Sequence, residues 1–238
     1  MVTSGNKLGC MLENLCILGY SWYNKIMSNK ATSAANQQGS PLRQLADDPS
    51  ETTRRAPFSQ KDIKAYLLGA LHDATFSSNK RFRFSQKGIE WPIFLKEIFK
   101  EIGYNSWIYR EGSDRDIYVV ETLAPFLDFS FHPKDLISTD EKVSYIRGFF
   151  DAEGGMPHNK EDRFYIQLVQ KDRQKLMEIK RILSELNIEV GKIHNPSRRM
   201  DPDLWRMYIL SSSKDKFIKI VGSWHHRKIN ILRERMMI

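Results

Sequence analysis

The stretch Glu141-Lys-Val-Ser-Tyr-Ile-Arg-Gly-Phe-Phe-Asp-Ala-Glu-Gly-Gly155 has an earlier echo, Lys64-Ala-Tyr-Leu-Leu-Gly-Ala-Leu-His-Asp-Ala-Thr75, and this pair decides the fold. Each reads as a short helix with a glycine in its middle, Gly148 or Gly69, and a carboxylate at its C-terminal end, Glu153 or Asp73. A glycine inside a helix costs about 1 kcal/mol against alanine. Its presence in both copies predicts close backbone contact, with the two helices packed glycine to glycine. A carboxylate at a helix C-terminus opposes the negative end of the helix dipole unless a cation is supplied. A divalent metal would supply it.

Outward from these helices the chain repeats. Ser59-Gln-Lys-Asp62 reads as a capping box that starts the first helix. The alternating stretch 79–86 reads as a strand, Trp91 to Tyr104 as a helix, and 105–110 with 115–121 as a hairpin around Glu111-Gly-Ser-Asp. Thr122 to Phe131 reads as a short helix. After the linker 132–139 the order returns: motif helix, strand 163–170, helix 172–186, strand 189–194, a basic turn at 195–202 and strand 204–210, then helices from Ser213 and from His225. Matching points keep a steady offset, 148 minus 69 giving 79, while 170 minus 86 and 187 minus 103 each give 84. The expected fold is α+β, a duplicated αββαββα unit with pseudo-twofold symmetry, two saddle-shaped antiparallel sheets and the motif helices at the repeat interface. Leu68, Leu71, Ile146 and Phe149 would line that interface. The expected division is an extension over 1–58, largely disordered, a first repeat with linker over 59–139 and a second over 140–238.

Composition narrows the function class. The 238 residues carry 37 Lys+Arg against 29 Asp+Glu, a net charge of +8 that favours a polyanionic partner, nucleic acid first. Both cysteines, Cys10 and Cys16, lie in the extension, so the main body has neither a disulfide framework nor a cysteine zinc site. Leu8, Met11, Leu12, Leu15 and Cys16 have the spacing of a short amphipathic helix. Glu13, Asn14 and Asn24 interrupt the stretch Leu8 to Met27, far short of the ~20 apolar residues of a membrane span. An intracellular protein is expected, cytoplasmic and nucleoid-associated when bound to DNA, or organellar.

Ile146-Arg-Gly-Phe-Phe-Asp-Ala-Glu-Gly154 resembles the nine-residue signature of the LAGLIDADG homing endonucleases, and Leu67-Leu-Gly-Ala-Leu-His-Asp-Ala-Thr75 looks like a degraded first copy. From its glycine, the acid falls four positions on in the first copy and five in the second. The resemblance covers roughly Ser59 to the C-terminus. It implies a monomer of the two-motif type and a site-specific, metal-dependent endonuclease of double-stranded DNA encoded by an intron. Asp73 and Glu153 would be catalytic and hold Mg²⁺, with Mn²⁺ as a substitute. Asp151 matches the position that caps the partner helix, with His72 replacing it in the first copy. Gln86 and Gln170, recurrent in Ser85-Gln-Lys87 and Val169-Gln-Lys171, resemble the accessory glutamine that orders solvent, and Lys134 and Lys228 the basic residue near the scissile phosphate.

The strands would supply the DNA contacts through Arg81, Arg83, Arg110, Arg115, Arg163, Tyr165, Gln167, Lys192 and Arg206, residue types that read base edges in the major groove. Strict alternation gives Gln86 the parity of Phe84, and Gln170 that of Leu168. The rival reading is a non-cleaving nucleic-acid binder of the same fold, an intron RNA maturase or a DNA-binding regulator. Ala74 and Thr75 support it, standing where an intact motif has acid and glycine.

Overall fold

The computed structural model describes residues 58–236 of the chain. The expected disorder and amphipathic helix of the extension therefore lie outside the described residues. Phe58, the last residue assigned to that extension, is buried with its ring centroid 4.8 Å from that of Trp224. The first repeat contains α1 (Gln60–Ala70), a 3₁₀ turn (Leu71–Asp73), β1 (Ala74–Phe76), β2 (Phe82–Lys87), α2 (Glu90–Glu101), β3 (Ser106–Arg110) and β4 (Ile117–Thr122). The second contains α3 (Thr139–Glu153), β5 (Gly154–Gly155), β6 (Gln167–Gln170), α4 (Arg173–Glu185), β7 (Trp205–Tyr208), α5 (Lys214–Ile220) and α6 (His226–Met236).

Capping boxes start both motif helices. Ser59 accepts from the Asp62 amide and Asp62 returns the bond, and Ser138 and Glu141 do the same for α3. The two helices then meet at their glycines. A Cβ on Gly69 would strike the backbone of Tyr145 and lie 2.8 Å from the Phe149 nitrogen. One on Gly148 would strike the backbone of Tyr66 and lie 2.9 Å from the Ala70 nitrogen. No larger residue fits on either side, which is the contact that the paired glycines predict.

Both sheets are antiparallel. The first has strand order β1-β2-β4-β3 and the second β5-β6-β7, with Val190 and His194 bridging to Ile209 and Arg206 where the fourth strand would run. Between those bridges one side advances four residues and the other three, so an extra residue bulges out and breaks the ladder. That bulge is why the predicted strand 189–194 survives only as two bridges. The strand predicted from Arg163 is shorter too, because its neighbour β5 is two residues long. Strands β1 and β5, directly after the two acids, were not read from the sequence.

The helix expected over Thr122–Phe131 is absent, so the first repeat lacks the closing helix of the αββαββα unit. Pro125 disfavours helical geometry at Ala124. Asp128 accepts from the Ser130 amide at 2.8 Å, a local turn that competes with a helix.

The core lies in two clusters that exchange residues. Trp224 and Ile229, from the end of the second repeat, pack among Tyr66, Phe94 and Trp91 of the first, while Ala65 and Leu68 of α1 pack with the second. Leu71, Ile146 and Phe149 are buried as expected for interface residues. The motif's one cation, Arg147, is fully buried: Nη2 donates to the Ile220 carbonyl at 3.3 Å and the guanidinium lies 4.7 Å from the Trp224 ring centre.

Candidate catalytic centre and nucleic-acid interface

Glycine contact between α1 and α3 brings the two helix ends together. Asp73 closes the 3₁₀ turn after α1, and Glu153 is the last residue of α3. Each therefore sits where its sheet begins. Asp73 opens to solvent on one side, yet its carboxyl is set far enough among the helix ends that lost hydration raises its pKa to about 6, against a partial offset from Lys228. Glu153 is pushed up to about 7, first by burial and then by the charge of Asp73. Lys228 and Lys171 lean the other way.

Lys228 is buried at the end of α3, where Nζ donates to the carbonyls of Phe150 and, at 3.0 Å, Asp151. Its ammonium thus covers carbonyls of the last helical turn, that of Phe150 being shared with the Gly154 amide. Burial lowers its pKa to about 8, and Asp151, Asp73 and Glu153 resist the fall. Lys134, proposed for the same role, is exposed in the 3₁₀ turn Pro133–Asp135 and is not among the groups that act on either acid. The reason is the missing helix: α6 aims Lys228 at the centre, and the first repeat has no counterpart to aim Lys134.

A second layer keeps the duplication visible. Tyr66 and Tyr145 are 79 positions apart (145 minus 66), as are His72 and Asp151 (151 minus 72). The Tyr66 hydroxyl donates to Asp151 at 2.8 Å, while the Tyr145 hydroxyl lies 2.6 Å from His72 Nε2. Asp151 also accepts from the Ser223 hydroxyl and, at 2.8 Å, from the Trp224 amide. It anchors the chain before α6 rather than facing the centre. His72 has a pKa lowered to about 3 by burial and by Lys175, so it stays neutral and structural. Gln170 Nε2 lies 2.8 Å from His72 Nδ1, and Oε1 accepts from the Lys171 amide at 2.7 Å. Gln86 Oε1 accepts the matching Lys87 amide at 3.1 Å. Both glutamines follow the core-side parity that alternation gives them.

Strand register sorts the proposed DNA contacts. In the first sheet Thr75, Arg83, Glu121 and Trp107 form one row across four strands, followed by Ser85, Val119 and Tyr109. The opposite face buries Phe84 and Val120 against α2. Arg83 is on the open face, and Arg81 joins it by pairing with Glu121 at 3.0 Å. Arg110 pairs with Tyr118 and so falls on the other side, where its Nε donates to the Arg115 carbonyl at 2.9 Å. Arg115 and Arg163 are exposed outside the strands. In the second sheet Gln167 and Arg206 share the open face with Tyr208, whose ring lies 5.8 Å from that of Tyr165. Lys192 is exposed two residues before His194, which bridges to Arg206. Ser85, Lys87, Trp107, Tyr109, Glu121, His194 and Tyr208 were missed. On β2 the charge alternation already marked the outward parity, whereas on β4 nothing local said which parity faces outward.

With this geometry in place, residues 140–222 match the family model of the LAGLIDADG-like domain. The second repeat is thus similar to that family over most of its length. No curated protein matches the chain in sequence. Solved structures extend the likeness over both repeats. The homing endonuclease I-DmoI in complex with DNA and Mn is similar at 20% identity and TM-score 0.52, over 69% of this chain and 98% of that one. A mesophilic variant of I-DmoI gives 19% and 0.54, over 74% and 98%. Full-length DUF199/WhiA from Thermatoga maritima gives 19% and 0.57, over 77% and 62%. The chain therefore has the α+β fold, antiparallel sheets and helices, of these proteins.

Proposed function

We propose that the chain is a monomeric endonuclease that uses a divalent metal to cut both strands of duplex DNA at a specific site. The observation that carries this reading is the convergence of Asp73 and Glu153, one from each repeat, beside Lys228 and at the origin of two open sheet faces. The donor set fits a divalent cation. Two carboxylates whose ionised forms are disfavoured by burial and, at Glu153, by the other's charge are stabilised by a cation between them. No cluster of three or more His, Cys, Asp or Glu suited to a metal forms among the described residues, which leaves coordination positions for water and phosphate oxygens. Asp73 and Glu153 would hold Mg²⁺ or Mn²⁺. Once bound, such a metal polarises a phosphate and lowers the pKa of a water.

The chain's own residues supply the rest. Lys228 offsets the negative end of α3, so a phosphate can approach a helix terminus that would otherwise repel it. Gly69 and Gly148 fix the separation of the two acids. Arg83, Lys87, Gln167 and Arg206 would hold the duplex over them. The fold likeness to I-DmoI supports this reading only at the level of architecture. One observation favours a non-cleaving nucleic-acid binder instead: α1 gives way to a 3₁₀ turn before Asp73, and Ala74 stands at the position of Glu153.

The test is cleavage of a supercoiled plasmid library carrying randomised inserts, with Mg²⁺ or Mn²⁺. Linear product enriched in one sequence is expected, and Asp73→Asn or Glu153→Gln should abolish it while retention on that sequence persists. A chain that enriches a duplex yet leaves it uncut with either metal is the binder, and preference for structured RNA would make it the maturase.

A further inference from the structure

The first sheet carries a carboxylate where its basic face has least use for one. Glu121 sits on the central strand β4, on the open side, with its side chain only 11% exposed. Its Oε2 accepts from Arg81 Nη1 at 3.0 Å, and its Oε1 accepts from the Tyr109 hydroxyl at 2.9 Å and lies 3.2 Å from Arg83 Nε. Arg83 Nη2 also donates to Tyr109 at 3.1 Å and to Glu111 at 2.9 Å. The Arg81 guanidinium lies 5.2 Å from the centre of the Trp107 ring. Every ring, fork and carboxylate in this cluster is thus held by at least one other.

A carboxylate on a surface that meets phosphates lowers affinity by its charge alone. It can also read cytosine by accepting from the exocyclic amine. Here both oxygens are already engaged by Arg81, Tyr109 and Arg83, so Glu121 acts through its neighbours. Arg81 uses Nη1 on Glu121, which leaves Nε and Nη2, two parallel donors on one edge, with no hydrogen-bond partner among the described residues. That edge matches the O6 and N7 acceptors of guanine. A guanidinium fixed by a carboxylate and by an aromatic face loses little freedom on binding, which is where a rigid fork gains over a mobile lysine.

Building on the endonuclease reading, we propose that Glu121 is a specificity-determining positioning residue: it fixes Arg81 to read a guanine in the half-site under the first sheet. The second sheet is the internal contrast. Arg83 and Gln167 are equivalent by the 84-residue offset (167 minus 83), and their β-partners are Glu121 and Tyr208. At the position of the carboxylate the second sheet has a tyrosine, and Arg206 there donates to the Tyr208 hydroxyl at 3.1 Å. The second half-site is met by an arginine held by a tyrosine rather than by a carboxylate.

The test is selection of randomised duplexes by the full chain without metal, followed by affinity measurement on the winner and on each single-base variant. Wild type should show one guanine position at which the other three bases bind about tenfold or more weaker. Glu121→Gln should flatten that position to within about threefold, while affinity for unrelated duplex rises and its salt slope steepens by about 0.9 per additional phosphate contact. Arg81→Lys, which keeps the charge and loses the fork, should flatten the same position. It keeps the proposal testable should Glu121→Gln unfold. Base preference unchanged in Arg81→Lys or in folded Glu121→Gln would overturn the proposal and leave the endonuclease reading intact. A wild type that enriches no duplex would end both.

Discussion

The two repeats agree at their glycines and disagree at their acids. Gly69 and Gly148 meet each other's helices in the same way, and Tyr66 and Tyr145 reach across to equivalent positions. Past that layer the symmetry stops. α3 remains helical to Glu153 and has Lys228 against its last carbonyls, while α1 tightens into a 3₁₀ turn that presents Asp73 one position early. Geometry that both helices must share has been kept in both copies. Chemistry that each end performs alone has diverged.

The largest effect should come from the shared layer. Gly69→Val and Gly148→Val each force a branched side chain into the opposing backbone, and each should lower unfolding free energy by about 3 kcal/mol or more in urea titrations. Near-equal losses are expected. A tolerated substitution on one side alone would mean that the helices do not cross at both glycines.

The next effect separates the acids by pH. For Glu153 the folded pKa of about 7 lies above its ordinary 4.5, so its ionisation penalises the fold. That penalty is absent below about pH 4.5, grows as pH rises and is complete above about pH 7. In metal-free protein Glu153→Gln should therefore raise stability at pH 8 by about 2 kcal/mol and leave it unchanged at pH 4. Asp73→Asn should act in the same direction and less, because Asp73 is more open to solvent. Mn²⁺ should raise the Tm of wild type more at pH 8 than at pH 5, and neither amide variant should share the full rise. Thermal melts across pH with and without Mn²⁺ check all of these, and a pH-independent Glu153→Gln effect would place that carboxyl in water.

The smallest effect distinguishes the two tyrosines. Tyr66→Phe removes a bond to the buried Asp151 and the acceptor of the Trp91 indole N–H, 3.0 Å away. Tyr145→Phe removes a bond to a neutral imidazole. Losses of about 2 and about 1 kcal/mol are expected, charge-assisted against neutral, by chemical denaturation. Equal losses would mean that the Asp151 and Trp91 bonds of Tyr66 together are worth no more than the single bond of Tyr145.

Local spacing carried the parts of this architecture that it could physically determine. Paired mid-helix glycines have few meanings other than close approach, and the charge alternation at Arg81 and Arg83 does separate the open face from Phe82 and Phe84. Lys134 and Lys228 looked equivalent because position after a helix was the only criterion, and burial at a helix end is a tertiary property. Glu121 was invisible for a related reason: Ile117-Tyr-Val-Val-Glu-Thr122 is apolar on both parities, so nothing local says which face its carboxylate joins. Arg110 was misplaced by composition, since register across the hairpin, not residue type, sets its side. The absent helix at Thr122–Phe131 was announced by Pro125 and Asp128, whose turn chemistry competes with its apolar content.

The exchange of residues between the two cores has a consequence for synthesis. Phe58, the first of the described residues, and Tyr66 rest on Trp224, and Ile229 from α6 completes the same cluster. A ribosome delivers the amino-terminal repeat long before those carboxy-terminal residues exist. The early repeat must therefore wait, with its apolar surface uncovered, until α6 has been made. Chains that stop short of α6 lose closure of the first repeat as well as of the second.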